Sequence, residues 1–255
     1  MFIAIVLLMF IAIFVIFNPI KNTTESNQKI IPFKLSNSSI TLGKNNGTPD
    51  LNVAKSLNAS TASNSNLNCQ EILNRAKSMV EIKWSPKYNI IDRYGSYVFI
   101  KGRSYYGIPY SMNYYQVSSV NDFLSKINNS KKLYGNDCSG FVSAAWGISR
   151  QTTLTLFNAV KNDSKIDGKT VSEISWNDLR TGDALLIDNG KGEGHIMLYI
   201  NADSKDGDKL NVYEQDVQTI IPFEPLPVAR KDVRNKETLM KDGYIPIRLL
   251  IAPSI

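Results

Sequence analysis

The first 17 residues, MFIAIVLLMFIAIFVIF, are apolar without a break, and Asn18, Pro19 and Ile20 carry the run to Lys21. At 1.5 Å per residue, a helix of about 17–20 residues spans about 25–30 Å, the thickness of a bilayer's hydrocarbon core. No basic residue precedes the run, and FNPIKN is a poor cleavage site. The expectation is therefore an uncleaved N-terminal anchor over residues 1–20, with a cleaved secretory signal as the alternative. A buried core helix fits poorly, because the run has no polar face to meet water. Residues 21–66 are dominated by Asn, Ser, Thr and Lys, and Phe33 is their one aromatic. Such a stretch buries too little apolar area to offset the cost of ordering its backbone. It reads as a flexible linker whose roughly 45 residues have an r.m.s. reach of about 35–40 Å.

Residues 67–255 carry the periodicities of a folded domain. Ile72, Leu73, Ala76, Met79 and Val80 stand at helical spacing, with Asn68 as a cap and Pro86 as the stop. Residues 96–102 (SYVFIKG) read as a short strand. Ser119 caps a helix over 119–127, with Val120, Phe123, Leu124 and Ile127 inward. Residues 136–147 (NDCSGFVSAAWG) form a helix capped by Asp137 and ended by Gly147. The period then changes. DALLID (183–188), HIMLYI (195–200) and NVYEQ (211–215) are β-rich and separated by the turns DNGKGEG and NADSKDGDK. A last helix at about 230–241 leads to the strand YIPIRLLI (244–251). Helices first and antiparallel strands later predict an α+β fold. There is no internal repeat.

The composition narrows the chemistry. The 255 residues include 29 Lys+Arg, 23 Asp+Glu, two Cys and one His. That inventory excludes a Cys/His zinc array, an all-histidine metal centre and a disulfide-dense scaffold. No phosphate loop, nucleic-acid motif or EF-hand is present, and no metal or organic cofactor is called for. The net charge of +6 suits a head near anionic lipid or polymer, but is equally a solvated surface. Trp84, Trp146 and Trp176 read as core or interface aromatics, and Cys69 as an unpaired thiol.

Cys138 follows the Asp137 cap on the first turn of its helix, where unpaired backbone N–H groups carry partial positive charge. Both features favour thiolate, the form a nucleophilic cysteine needs, although a buried structural Cys is the common alternative. Ser139 and Gly140 keep bulk away, and the Cys138 N–H is placed to meet an oxyanion. His195 opens a strand after Gly192 and Gly194, 57 positions beyond Cys138. A thiol at a helix N-terminus and an imidazole on a strand form the nucleophile–base pair of papain-like hydrolases. A third group orients the imidazole. It cannot be a second His. On the strand 212–216, Glu214 and Gln215 point to opposite faces. Glu214 is the first choice, because a carboxylate stabilises imidazolium better than an amide, and Gln215 is the alternative.

These residues resemble the NlpC-type cell-wall cysteine peptidases, relatives of the CHAP amidases. The match lies in Asp137-Cys138-Ser139-Gly140-Phe141, in Gly182-Asp183 before an apolar run, and in Gly194-His195-Ile196. Upstream, Gly107-Ile108-Pro109-Tyr110 matches the family's Gly-x-Pro-Tyr. The family's Gly-Gly after Pro-Tyr is replaced by Ser111-Met112, and its common third-position His is absent. The Val-x-Glu-Gln strand is closer to the CHAP pattern. The resemblance implies a papain-like fold over 67–255, catalysis by Cys138 and His195 with Glu214, and substrate or oxyanion roles for Tyr110, Asp137 and Ser139. It implies peptidoglycan peptide stems as substrate. Together with the anchor it implies an extracytoplasmic domain, secreted if the N-terminal segment is cleaved. An acyltransferase, a lipid-directed amide hydrolase and a non-catalytic wall-binding module are the alternatives.

Overall fold

A computed structural model of the chain describes residues 69–91, 97–112, 116–216 and 226–250. The expected anchor at 1–20, the linker at 21–66 and the Asn68 cap lie outside the described residues. Among the described residues no helix is long and apolar enough to cross a membrane.

The first helix, α1, covers 69–81, with Ile72, Ala76 and Met79 buried and Leu73 and Val80 packed at its flank. It stops before Pro86, because Lys83–Trp84 (β1) is already extended and pairs with Tyr105–Tyr106 (β4). The strand expected over 96–102 is confined to Val98–Phe99 (β3), which pairs with Ile90–Ile91 (β2). Residues 101–102 turn instead, and the Gly102 N–H donates to the Pro86 carbonyl at 2.8 Å. Trp84 ties this layer together, its ring 5.3 Å from Phe99, 5.4 Å from Tyr105 and edge-on at 5.4 Å to Phe123. Phe123 belongs to α2 (Val120–Ile127), where the Ser119 side chain accepts from the Asp122 N–H as the capping pattern predicts.

Helix α3 (Cys138–Trp146) has the expected bounds, and Gly147 ends it at φ +64°, a conformation that favours glycine. Phe141, Val142, Ala145 and Trp146 are almost fully buried. Each of the larger side chains contributes about 1.5–3 kcal/mol by leaving water. The region between 148 and 182, unassigned from the sequence, holds α4 (Thr153–Lys161), β5 (Lys165–Ile166) and β6 (Lys169–Glu173). Helix α4 starts at a capping box made by Thr152 and Thr155.

The remaining strands are β7 (Ala184–Asp188), β8 (Gly194–Ala202), β9 (Lys209–Gln215), β10 (Ala229–Asn235) and β11 (Ile245–Leu250). With β5 and β6 they form one antiparallel sheet in the order β10-β9-β8-β7-β11-β6-β5. The α+β class expected from the sequence is therefore observed. Helices α3 and α4 pack on one face of the sheet. The other face carries a second cluster, including Met197, Tyr199 and Val212, covered by Leu239 of α5 (Lys236–Asp242).

The helix expected over about 230–241 is corrected. Its first half is strand β10, and helix begins at Lys236 with Asn235 as cap. Arg230, Asp232 and Arg234 alternate with period two, and the register places Arg230 opposite Glu214. Buried charge pairing with β9 outweighs the helical propensity of Arg and Lys.

Candidate active site

Asp137 is extended, at φ −87° and ψ −179°, and its carboxylate accepts from the Gly140 N–H at 2.7 Å and the Ser139 hydroxyl at 3.3 Å. Arg150 also pairs with it. Asp137 and Ser139 are thus engaged in starting the helix, and neither lines the cavity described below. Their network leaves Cys138, 8% exposed, on the first turn with its sulfur at the positive end of α3. Both Cys69 and Cys138 are free thiols. Burial, the largest influence, pushes the Cys69 thiol up, and Asp183 adds to it.

His195 stands on β8 opposite Ile187 of β7. Gly194 makes the close approach of these strands possible, because a Cβ there would lie 2.2 Å from the Ile187 carbonyl oxygen. Strand β7 is fixed in turn by Asp183. That buried carboxylate accepts from Arg248 of β11 through Nε and Nη2, both at 2.7 Å. The Gly-Asp motif therefore sets the sheet on which the imidazole rides.

The β8–β9 register pairs Leu198 with Tyr213 and Tyr199 with Val212. Continued two steps, it puts Glu214 on the same face as His195. Glu214 is fully buried, and its Oε2 lies 3.6 Å from His195 Nε2, an ion-pair distance longer than a hydrogen bond. Arg230 Nη2 reaches Glu214 Oε1 at 2.5 Å, and Arg234 Nη2 reaches Oε2 at 2.5 Å. Burial opposes the charge on Glu214, but His195, Arg234 and Arg230 hold its carboxyl well below the usual carboxylate range. Burial also draws the imidazole toward neutrality. The contacts with Cys138 and Glu214 outweigh it and push His195 up, to about 10.

Gln215 points the other way. Its Nε2 donates to the carbonyls of Ile108 at 2.9 Å and Pro109 at 2.6 Å. The Gly-Ile-Pro-Tyr segment is held from three sides. Beyond Gln215, the Asn136 N–H donates to the Pro109 carbonyl, and the Tyr110 N–H donates to the Pro227 carbonyl at 2.7 Å. Tyr110 is thereby brought to the cleft that contains Cys138 and His195.

That cleft is a cavity of about 450 Å³. Its lining includes Cys138, His195 and Tyr110, together with Asp216, Arg234 and Tyr244. Burial pushes the Tyr244 phenol up to about 12 against the opposing pull of Arg234. Sequence reasoning missed Arg230, Arg234 and Tyr244. The signal for the arginines was present in the alternation Arg230-Lys231-Asp232-Val233-Arg234, which is strand-like and places both guanidinium groups on one face. Tyr244 gave no such signal.

A thiol at a helix N-terminus, an imidazole on a neighbouring strand and a buried carboxylate 3.6 Å from the imidazole stand together on an antiparallel α+β scaffold. Residues 125–222 match the NlpC/P60 family model, a family whose members are in general cysteine peptidases or amidases. The matched stretch contains Cys138, His195 and Glu214, and three of the four motifs on which the resemblance to the NlpC-type cell-wall peptidases rests. Gly107–Tyr110 and the two arginines fall outside it. No curated protein and no solved structure matches the chain.

Proposed function

We propose that this protein is a membrane-tethered, extracytoplasmic cysteine hydrolase that cleaves peptide or amide bonds in bacterial peptidoglycan. In this reading residues 1–20 are the anchor, 21–66 the tether, and 67–255 a papain-like catalytic domain. The observation that carries it is the placement of His195 between Cys138 and Glu214 at the wall of a substrate-sized cavity.

Cys138 attacks the substrate carbonyl as thiolate. With Nε2 turned to Glu214, Nδ1 is the ring nitrogen left to take the thiol proton and then deliver it to the departing amine. The Cys138 N–H, at the start of α3, and the Tyr110 side chain steady the oxyanion. Water then releases the acyl enzyme, regenerating thiolate and imidazolium. Glu214 keeps the ring oriented, and the stem peptide occupies the cavity toward Arg234 and Tyr244.

The test incubates the full chain, in detergent, with purified wall fragments and reads the products by mass. The wild type is expected to release peptide fragments, and Cys138→Ala none. Identical products from both would remove the catalytic role of Cys138. Products carrying an added acyl acceptor in place of water would identify a transferase.

A further inference from the structure

The layer built from β1–β4 has a face that the hydrolytic site does not use. Ile91 and Val98 are directly opposite in the β2–β3 register and point outward, at 60% and 39% exposure. Their neighbours Ile90 and Phe99 point into the core. Ile100, two positions beyond Val98, continues the outer stripe at 47% exposure. Three exposed β-branched side chains in one stripe contribute nothing to the core.

Cations surround this stripe. Lys101 follows Ile100 directly, and its N–H donates to Asn89 Oδ1 at 2.8 Å, which brings the 85–89 loop alongside. Lys87 of that loop donates to Asn129 at 2.7 Å, and Lys131 lies over the Tyr88 ring at 5.3 Å. The loop after α2 therefore joins the same face. Lys83, Lys87, Lys101, Arg103, Lys131 and Lys132 are all exposed. The described stretches 83–91, 97–112 and 125–135 contain no carboxylate side chain. Lys87, Lys101 and Lys131, tied to one another through Asn89, Asn129 and Tyr88, therefore give this face a local excess of positive charge.

We infer that this face docks on an anionic bilayer surface, with Ile91, Val98 and Ile100 entering the headgroup layer and the lysines around them pairing with lipid phosphates. An apolar stripe ringed by lysine is the chemistry of interfacial binding. A soluble polyanion would match the lysines but leave the isoleucines in water. The docking goes beyond the hydrolytic reading and does not depend on it.

The test uses the full chain, reconstituted into vesicles of phosphatidylcholine alone or mixed with phosphatidylglycerol, and follows hydrogen–deuterium exchange by region. Any anchoring by the N-terminal segment is common to both. On the anionic vesicles the amides of 85–91 and 97–103 are expected to exchange more slowly than on the neutral ones, and high salt should abolish the difference. Lys87→Gln, Lys101→Gln and Lys131→Gln together remove three attractive charges. At about fivefold each, the loss of local association is about a hundredfold. The pair Ile91→Ser and Ile100→Ser should also restore fast exchange, which loss of charge attraction alone does not predict. Equal exchange on both vesicle types would overturn the inference. So would equal protection by a soluble poly(glycerol phosphate) without lipid, which would assign the face to an anionic polymer.

Discussion

Replacing Glu214 by Gln isolates the electrostatics of the site, because the new side chain keeps the shape and loses the charge. The carboxylate faces three cationic groups: Arg230 and Arg234 at 2.5 Å and His195 at 3.6 Å. At an effective dielectric constant of about 20, one charge pair at that imidazole distance is worth roughly 4–5 kcal/mol. This is equivalent to about three units on the His195 titration. The arginines share the carboxylate, so the expected fall in Glu214→Gln is smaller, about one to three units. Stability should also drop by about 3–5 kcal/mol, because two guanidinium groups lose a buried partner. Arg234→Gln acts with the opposite sign. It removes a positive neighbour and leaves Glu214 less neutralised, so the imidazole should titrate higher than in wild type.

His195 is the only histidine in the chain, so its carbon and nitrogen NMR signals report the midpoint without assignment. Its raised titration means that the ionic contribution to stability is complete below about 6.5 and is lost as pH rises toward about 10. Glu214 contributes in the other direction. Its share is complete above its ordinary value of 4.5 and is lost only as the pH falls well below the carboxylate range. The wild type should therefore show a stability plateau from mild acid to neutrality with an alkaline decline, and Glu214→Gln should lose most of that decline. A folded Glu214→Gln protein whose His195 midpoint equals the wild type's would refute the coupling, as would a downward shift in Arg234→Gln.

Two further outcomes follow from the same geometry. Iodoacetamide near neutral pH should alkylate Cys138 much faster than Cys69, whose thiol burial pushes up, and equal slow labelling of both, read by peptide mass, would remove the activated thiol. Gln215→Ala should cost about 1–3 kcal/mol in urea unfolding by removing two side-chain hydrogen bonds, one of the two donors to each of the Ile108 and Pro109 carbonyls, yet should leave the His195 midpoint in place, and a shifted midpoint would make Gln215 the residue that orients the imidazole.

Much of the scaffold around the thiol was legible because local rules and tertiary packing agree there. Asp137, Cys138 and Gly147 fulfil a cap, a first turn and a stop that the sequence alone defines. Strands β7, β8 and β9 were readable from β-branched runs between glycine- and asparagine-rich turns. The failures have physical causes. Residues 230–235 are charged and helix-competent, and only the buried Glu214 across the ladder makes them a strand. Helix α4 was missed because Thr152 to Thr155 reads as β-rich, although the same hydroxyls build its capping box. The choice between Glu214 and Gln215 stayed open in the sequence because alternation says that they diverge, not which one faces the imidazole.

On β9, Glu214 faces His195, while Gln215 is turned to the Ile108 and Pro109 carbonyls. A bare buried glutamate 3.6 Å from an imidazole would hold the ring's proton still more firmly than this one does. Two arginines on the neighbouring strand divide the carboxylate's charge and fix both its oxygens, so Oε2 meets His195 at ion-pair rather than hydrogen-bond distance. The Glu214–Arg230–Arg234 cluster supplies orientation while limiting the field at the ring. It spreads over two strands, and both arginines lie beyond the 125–222 stretch that matches the family model.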